Sequence, residues 1–229
     1  MSSAVNEVLH EIKWRKRQIL RGRRFFSCAK LVQHWKSRIL SYVEYRTGAI
    51  YHAANSVLEP LNRMQDSFLQ ELGISPEEAL ADFNLAPWAT RRDIASLGMI
   101  HRTVLGLGPS HFGELFYLSG QAPANGLYLR HSWQLHEYGS REDQHPLNWI
   151  FGNASVEAQC FVRRSALGLV TVYNALPHDT VMHAPSVQVF QSKLQDMVKA
   201  AASHGTAEWR LLFSPRCELR PLKRLVESF

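Results

Sequence analysis

Residues 55–73 have the sequence NSVLEPLNRMQDSFLQELG, and this stretch carries the clearest secondary-structure signal in the chain. Its apolar side chains recur every three or four residues, which is the spacing of one face of an α-helix. They are Val57, Leu58, Leu61, Met64, Phe68 and Leu72. Asn55 or Ser56 is a suitable N-cap, and Gly73 is a typical residue at a helix end. The stretch therefore predicts an amphipathic helix with its apolar face in a core.

The same periodicity, with suitable capping residues, predicts further helices on both sides of this one. Ser75 is followed by a proline at the first helical position and by a Glu three residues later, which is the pattern of a capping box. Thr90 and Ser186 are suitable caps for two later helices. The predicted helices are 6–20, 30–45, 76–83, 91–105, a turn or two within 110–117, 187–203 and a short one near 209–213. The predicted fold is mainly α, with a helical bundle-like N-terminal half.

The chain has a looser pattern from about position 106 onward, because nine of its 13 Gly and seven of its 10 Pro lie there. Residues 127–136 alternate partly between apolar and polar side chains, which is typical of a β-strand. Residues 159–162 or 167–172 are its candidate partners in a small β-hairpin. We therefore predict two regions, a basic helical region at 1–118 and a mixed region at 119–229 with a possible hairpin and a final helix.

The composition is that of a folded protein, with 45% hydrophobic and 20% charged residues among 229. No apolar run reaches the roughly 18 residues that a membrane span needs. The first residues lack the pattern of a secretory signal. Cys28, Cys160 and Cys217 are odd in number and far apart, which suits reduced thiols. We expect an intracellular protein, in the nucleus or the cytoplasm, without a membrane partner.

Positive charge is concentrated at the start of the chain. Residues 1–50 contain eleven Lys or Arg and three Glu, a net charge of +8, whereas the whole chain carries +6. Residues 51–229 therefore carry −2. Such asymmetry indicates a polyanionic partner more than a property of the fold.

Aromatic residues lie among these basic residues, which is a pattern typical of nucleic-acid binding. Arg and Lys would neutralise phosphates, while Trp14, Phe25 and Phe26 would stack on unpaired bases. We predict RNA or DNA contacts for Lys13, Trp14, Arg15, Lys16, Arg17, Arg21, Arg23, Arg24, Arg91 and Arg92. Other interpretations stay open at this point. Trp14 would face the core while the charged residues around it stay solvated. Arg91 and Arg92 would only mark the start of a helix. The basic helix would bind an anionic membrane surface or an acidic partner.

Three separated stretches resemble the region downstream of the polymerase core in non-LTR retrotransposon reverse transcriptases. Residues 41–73 resemble a helical segment in which a Leu-x-x-x-Gln pattern, here Leu61 to Gln65, leads to a terminal glycine. Residues 86–93, APWATRRD, are similar to that family's proline, short spacer and paired arginines ahead of a helix. Residues 172–194 begin VYNALP and end SVQVFQSKL, and they resemble its C-terminal signature with Tyr173 in place of Trp.

The resemblance implies a thumb-like or connector region without polymerase activity. In that family the polymerase domain lies upstream and holds its catalytic metals with an aromatic-x-Asp-Asp motif, which this sequence lacks. The resemblance implies that the chain is a fragment or a degenerate descendant of such a protein. Its implied partners are RNA or DNA, bound without sequence specificity, and a missing or separate polymerase domain. The alternative is a helical protein-interaction module, or a retroelement relic, with no role in nucleic-acid binding.

No other motif favours catalysis or a cofactor. Two-metal nucleotidyl transfer needs converging carboxylates. The adjacent acidic pairs, Glu77-Glu78 and Glu142-Asp143, are explained as helix-start and loop charges. Three histidines and one cysteine between positions 131 and 160 have the ligand chemistry of zinc, but their spacing fits no compact finger. We predict that the protein is not an enzyme and that it binds neither metal nor cofactor.

Overall fold

The structure is a computed structural model that describes residues 2–115, 164–177, 180–181, 184–206 and 208–215. It is mainly helical, which confirms the predicted fold class. The chain divides into two compact units, Met1–Arg92 and Asp93–Phe229, which we call unit 1 and unit 2. No helix within the described ranges is both long enough and apolar enough to cross a membrane.

Unit 1 is built from helices that follow one another with short connections. They are α1 (Ser2–Arg21), a 3-10 turn (Gly22–Arg24), α2 (Cys28–Trp35), a π-helical turn (Lys36–Leu40), α3 (Ser41–Tyr45), α4 (Thr47–Ile50), α5 (Asn55–Leu72), α6 (Pro76–Phe83) and the start of α7 (Trp88–Val104). The predicted helix at 30–45 therefore begins earlier, at Cys28, where the Ser27 side chain accepts a hydrogen bond from the Lys30 N–H.

An aromatic stack lies at the centre of the unit 1 core. The Trp35 ring stacks on Phe68 with 4.1 Å between centroids and on Trp88 at 5.9 Å. Trp35 and Phe68 are completely buried and Trp88 nearly so. α1 packs against α5 and contributes Val8 and Ile12 to the same core. The stack therefore joins three helices that are distant in sequence.

Several predicted helix ends are confirmed and two predicted caps are wrong. Ser75 forms the predicted capping box with Glu78, and Gly73 ends α5 in a left-handed conformation with φ of 71°. The N-cap of α5, however, is Ala54, which has an extended backbone and makes no side-chain capping hydrogen bond. Thr90 lies inside α7, because that helix already begins at Trp88. In both cases the helix already includes the polar residue that was expected to cap it.

Unit 2 contains the remainder of α7 and further helices. They are α8 (Ser110–Leu115), a 3-10 turn (Ala166–Gly168), α9 (Leu169–Ala175), α10 (Val187–Ser203) and a 3-10 turn (Trp209–Leu211). Ser186 caps α10 as predicted, since its side chain accepts from the Val189 N–H.

The prediction of a strand at 167–172 is wrong, because this stretch is helical. Its β-branched residues favour a strand locally, but Leu169, Val170, Val172 and Tyr173 are all buried in the helical conformation. The other predicted hairpin segments, 127–136 and 159–162, lie outside the described residues. The hairpin that pairs those two segments stays a prediction.

The two units divide within α7, after Arg92, and the predicted boundary after 118 stays a prediction. The later part of α7 belongs to unit 2, where His101 bonds to Tyr173 and to the Ala184 carbonyl. A contact over this sequence distance leaves no local signal in the sequence. Positions 116–118 themselves lie outside the described residues.

Candidate nucleic-acid interface

The basic residues of α1 are divided between its two faces. Val5, Val8, Ile12 and Ile19 define the buried face. Lys13, Arg17 and Arg21 are spaced by four residues and follow one another along the opposite, exposed side. Trp14, three residues before Arg17, lies on that side too, and 57% of it is exposed.

The chain continues this exposed surface beyond the end of α1. The 3-10 turn at Gly22–Arg24 leaves the Arg23 and Arg24 side chains exposed. The N–H groups of Phe25 and Phe26 both donate to the Gly22 carbonyl, at 2.9 and 3.0 Å. Phe25 is 83% exposed and Phe26 is 50% exposed. We call Lys13, Arg17, Arg21, Arg23 and Arg24 the basic face, and Trp14, Phe25 and Phe26 the aromatic cluster.

Gly22 allows the aromatic cluster to take this arrangement. A methyl group on Gly22 would lie 2.8 Å from Cδ2 of the Phe26 ring, which is closer than carbon atoms approach without a shift. The same ring makes a T-shaped contact with the His34 ring, with 5.8 Å between ring centroids. Phe26 is therefore held on two sides, while Phe25 has most of its surface in solvent.

The five cations of the basic face have no hydrogen bond or ion pair within the described part of the chain. A charged side chain at a protein surface keeps its hydration and is available to an external anion. The basic face is thus a run of available positive charge along one exposed side.

The remaining two predicted cations of α1 have internal partners. The Lys16 ammonium donates to Ser67 Oγ at 2.7 Å and pairs with Glu71 at 2.6 Å, and only 8% of the residue is exposed. The Arg15 guanidinium bonds to Glu11 at 2.8 Å and to the Arg38 carbonyl at 2.7 Å. These contacts join α1 to the rest of unit 1.

The predicted pair in α7 is also bonded within unit 1. Arg91 Nε donates to Glu44 Oε1 at 2.5 Å. Arg92 is nearly buried, and its Nη2 donates to Asn62 Oδ1 at 3.1 Å. The structure therefore leaves six of the ten predicted residues exposed, on α1 and the turn that follows it, and it gives the other four internal partners. Phe25 and Phe26, which were also expected to stack on bases, are exposed directly after that turn.

We expect Lys16 and Arg17 to respond differently to the same change. Lys16→Glu would place a carboxylate beside Glu71 in a nearly buried position, and we expect it to lower the free energy of unfolding by about 2 kcal/mol, allowing for the half-exposed partner. Arg17→Glu changes an exposed side chain, so the effect should stay within about 0.5 kcal/mol. Urea unfolding followed by circular dichroism measures both, and equal losses would contradict this orientation of α1.

His101 in unit 2 is buried, and its contacts indicate a role in the stability of the fold. The His101 ring stacks on Phe190 at 4.1 Å and is completely buried. Its Nε2 donates to the Ala184 carbonyl at 2.9 Å, so the neutral ring accepts at Nδ1 from the Tyr173 hydroxyl at 2.8 Å. Burial lowers the pKa of His101 and raises that of Tyr173. Both ring nitrogens are occupied, which leaves neither one to act on a substrate.

No three His, Cys, Asp or Glu side chains within the described ranges are grouped as metal ligands. The histidines and the cysteine between 131 and 160 lie outside those ranges, so their lack of a zinc role stays a prediction.

Comparison with known proteins finds no matching family model, curated protein or solved structure. The resemblance to a retroelement reverse transcriptase region therefore stays a prediction based on the residues quoted for it.

Proposed function

We propose that unit 1 binds RNA or DNA through the basic face, by phosphate contacts and without sequence specificity. The observation that supports this most directly is the set of five exposed cations with no partner within the described residues. Internal ion pairs would have neutralised them if their role were structural, as they do for Lys16 and Arg91.

The dimensions of the basic face suit a phosphate backbone. Lys13 and Arg21 are eight residues apart, which corresponds to about 12 Å along a helix axis. Double-stranded DNA carries one charge per about 1.7 Å of its axis, so a surface of this length faces several phosphates. Each phosphate that is neutralised releases condensed counterions, and binding of this kind weakens steeply with salt.

The proposal includes the role implied by the resemblance to the region downstream of a retrotransposon polymerase core. A non-catalytic region that holds a nucleic acid beside a separate polymerase domain would use this type of contact. The polymerase partner, the intracellular location and the absence of enzymatic activity belong to the proposal as expectations.

Reversing three charges of the basic face tests the proposal. Arg21→Glu, Arg23→Glu and Arg24→Glu in one protein should weaken binding by about 100-fold at low salt, because three phosphate contacts become repulsive. The salt slope should fall by about 3, at roughly 0.9 per phosphate. Fluorescence anisotropy of a labelled structured RNA and a DNA duplex, over a salt series, measures both quantities.

A matched control has the same change in net charge at other positions. Arg63→Glu, Arg102→Glu and Lys199→Glu lie on α5, α7 and α10, outside the basic face. This variant keeps all five cations of the basic face, and added salt screens the effect of its changed net charge, so it should keep most of the affinity. The proposal fails if wild-type protein binds neither nucleic acid at low salt, or if the control loses as much affinity as the test variant.

A protein-interaction module is the second candidate function. The observation in its favour is the exposure of Phe25 and Tyr45, which are 83% and 91% accessible. Large exposed aromatic side chains are typical of protein interfaces. Association of this kind would be insensitive to salt, which separates it from binding by the basic face.

A further inference from the structure

We infer that the ligand of the basic face is single-stranded RNA or DNA, with unpaired bases stacking on Trp14 and Phe25. This inference rests on the proposed function and names its substrate class. It depends on the position of the aromatic cluster, which the phosphate contacts alone do not explain.

Trp14 is exposed, whereas the other tryptophans within the described residues are buried. Trp35, Trp88 and Trp209 are at most 7% exposed, whereas Trp14 is 57% exposed. Leaving a large apolar side chain in water forgoes the stabilisation that burial would give. Trp14 therefore gives little to the core of unit 1, and its large ring is available to a ligand.

The exposed rings are interspersed with the exposed cations. Trp14 precedes Arg17 by three residues and Arg21 by seven, so the three share one side of α1. Phe25 follows Arg24 directly, after the turn. Phosphates bound by these arginines would bring the attached bases close to the rings.

The turn after α1 fixes the backbone that carries Phe25. Both Phe25 and Phe26 donate to the same Gly22 carbonyl, and the Phe26 ring rests over Gly22 and against His34. The backbone of this turn is therefore ordered before binding, and ordering it does not reduce the affinity. Phe26 supports the turn, while Phe25 presents its ring to the ligand.

Stacking distinguishes single strands from duplexes. Bases in a duplex already stack on one another, so a ring at the protein surface reaches them only if they are unstacked or flipped. Bases of a single strand present a free π-face, and one ring–base stack strengthens binding by about tenfold or more. The basic face can contact the phosphates of a duplex and of a single strand, whereas the aromatic cluster can stack only on the bases of a single strand.

Removing the two rings tests this inference. Trp14→Ala with Phe25→Ala should weaken binding of an unstructured oligo(dT) or oligo(U) strand by about 30-fold or more. Its affinity for a DNA duplex of equal length should change by less than about twofold, and the salt slope should stay unchanged because no charge is altered. Anisotropy with the three labelled probes measures these effects on the full chain.

Two further variants serve as controls. Leu107→Ala removes another exposed apolar side chain, in unit 2, and should leave all affinities unchanged. Trp14→Phe with Phe25→Tyr keeps an aromatic ring at each position and should restore most of the single-strand affinity. Circular dichroism should show the same unfolding midpoint for the Ala variant as for the wild type, since both side chains are mostly exposed.

The outcomes separate this inference from the proposed function. Equal binding of single strand and duplex, unaffected by the Ala variant, overturns the inference and leaves the phosphate-contact proposal in place. An equal loss for both probes also overturns it, because the rings would then not act on unpaired bases. Failure of the wild-type protein to bind any probe at low salt removes both proposals.

Discussion

Trp35→Ala is expected to lower the free energy of unfolding of unit 1 by about 3–5 kcal/mol. The Trp35 ring is completely buried and stacks on both Phe68 and Trp88. Alanine would leave a cavity among side chains contributed by three helices, and the two remaining aromatic rings would lose their shared neighbour. Urea unfolding of the full chain, followed by far-UV circular dichroism, measures the loss.

Trp14→Ala is the matched control, because it removes the same side chain from an exposed position. We expect its effect on stability to stay within about 0.5 kcal/mol. The contrast between two tryptophans tests the central assignment of the fold, in which one belongs to the core and the other to the surface. Similar losses at both positions would contradict it, as would a loss below about 1 kcal/mol for Trp35→Ala.

The helices could be predicted where their signal is local. The apolar spacing of α5, the capping box at Ser75 and the cap at Ser186 each lie within a few residues, and each is confirmed. The start of α5 could not be predicted in this way, because Ala54 stands at the N-cap position and its side chain has no polar atom to form a cap. Residues 167–172 form helix rather than strand because packing against distant segments outweighs their local propensity.

The candidate interface was predicted in part, and helical geometry explains which part. Lys16 follows Ile12 by four residues and precedes Ile19 by three, so the sequence already placed it on the buried face. Lys16 was nevertheless predicted to lie in the interface, because that prediction rested on charge and not on helical periodicity. Its partner Glu71, like Glu44 for Arg91, lies far away in sequence and leaves no local pattern.

The free energy of unfolding should depend on pH through His101, the buried histidine of unit 2. Burial lowers the pKa of His101 below its ordinary value of 6.5, so the unfolded chain binds a proton that the folded chain excludes. The corresponding stability is present above pH 6.5 and is lost as the pH falls below it toward the lowered folded-state pKa. Protonation would also place a hydrogen on Nδ1, which accepts from the Tyr173 hydroxyl when the ring is neutral.

His101→Leu should lower the free energy of unfolding by about 2–4 kcal/mol near neutral pH, because the Tyr173 hydroxyl and the Ala184 carbonyl lose their partner. Tyr173→Phe is the milder control, with an expected loss of about 1–3 kcal/mol, since only Nδ1 of the histidine loses its hydrogen bond. Carboxylates titrate in both the wild type and His101→Leu, but only the wild type carries this histidine. The difference in free energy of unfolding between the wild type and His101→Leu should therefore shrink as the pH falls from about 7.5 to about 5.5. A difference that grows toward acid pH would show that His101 is charged in the folded protein.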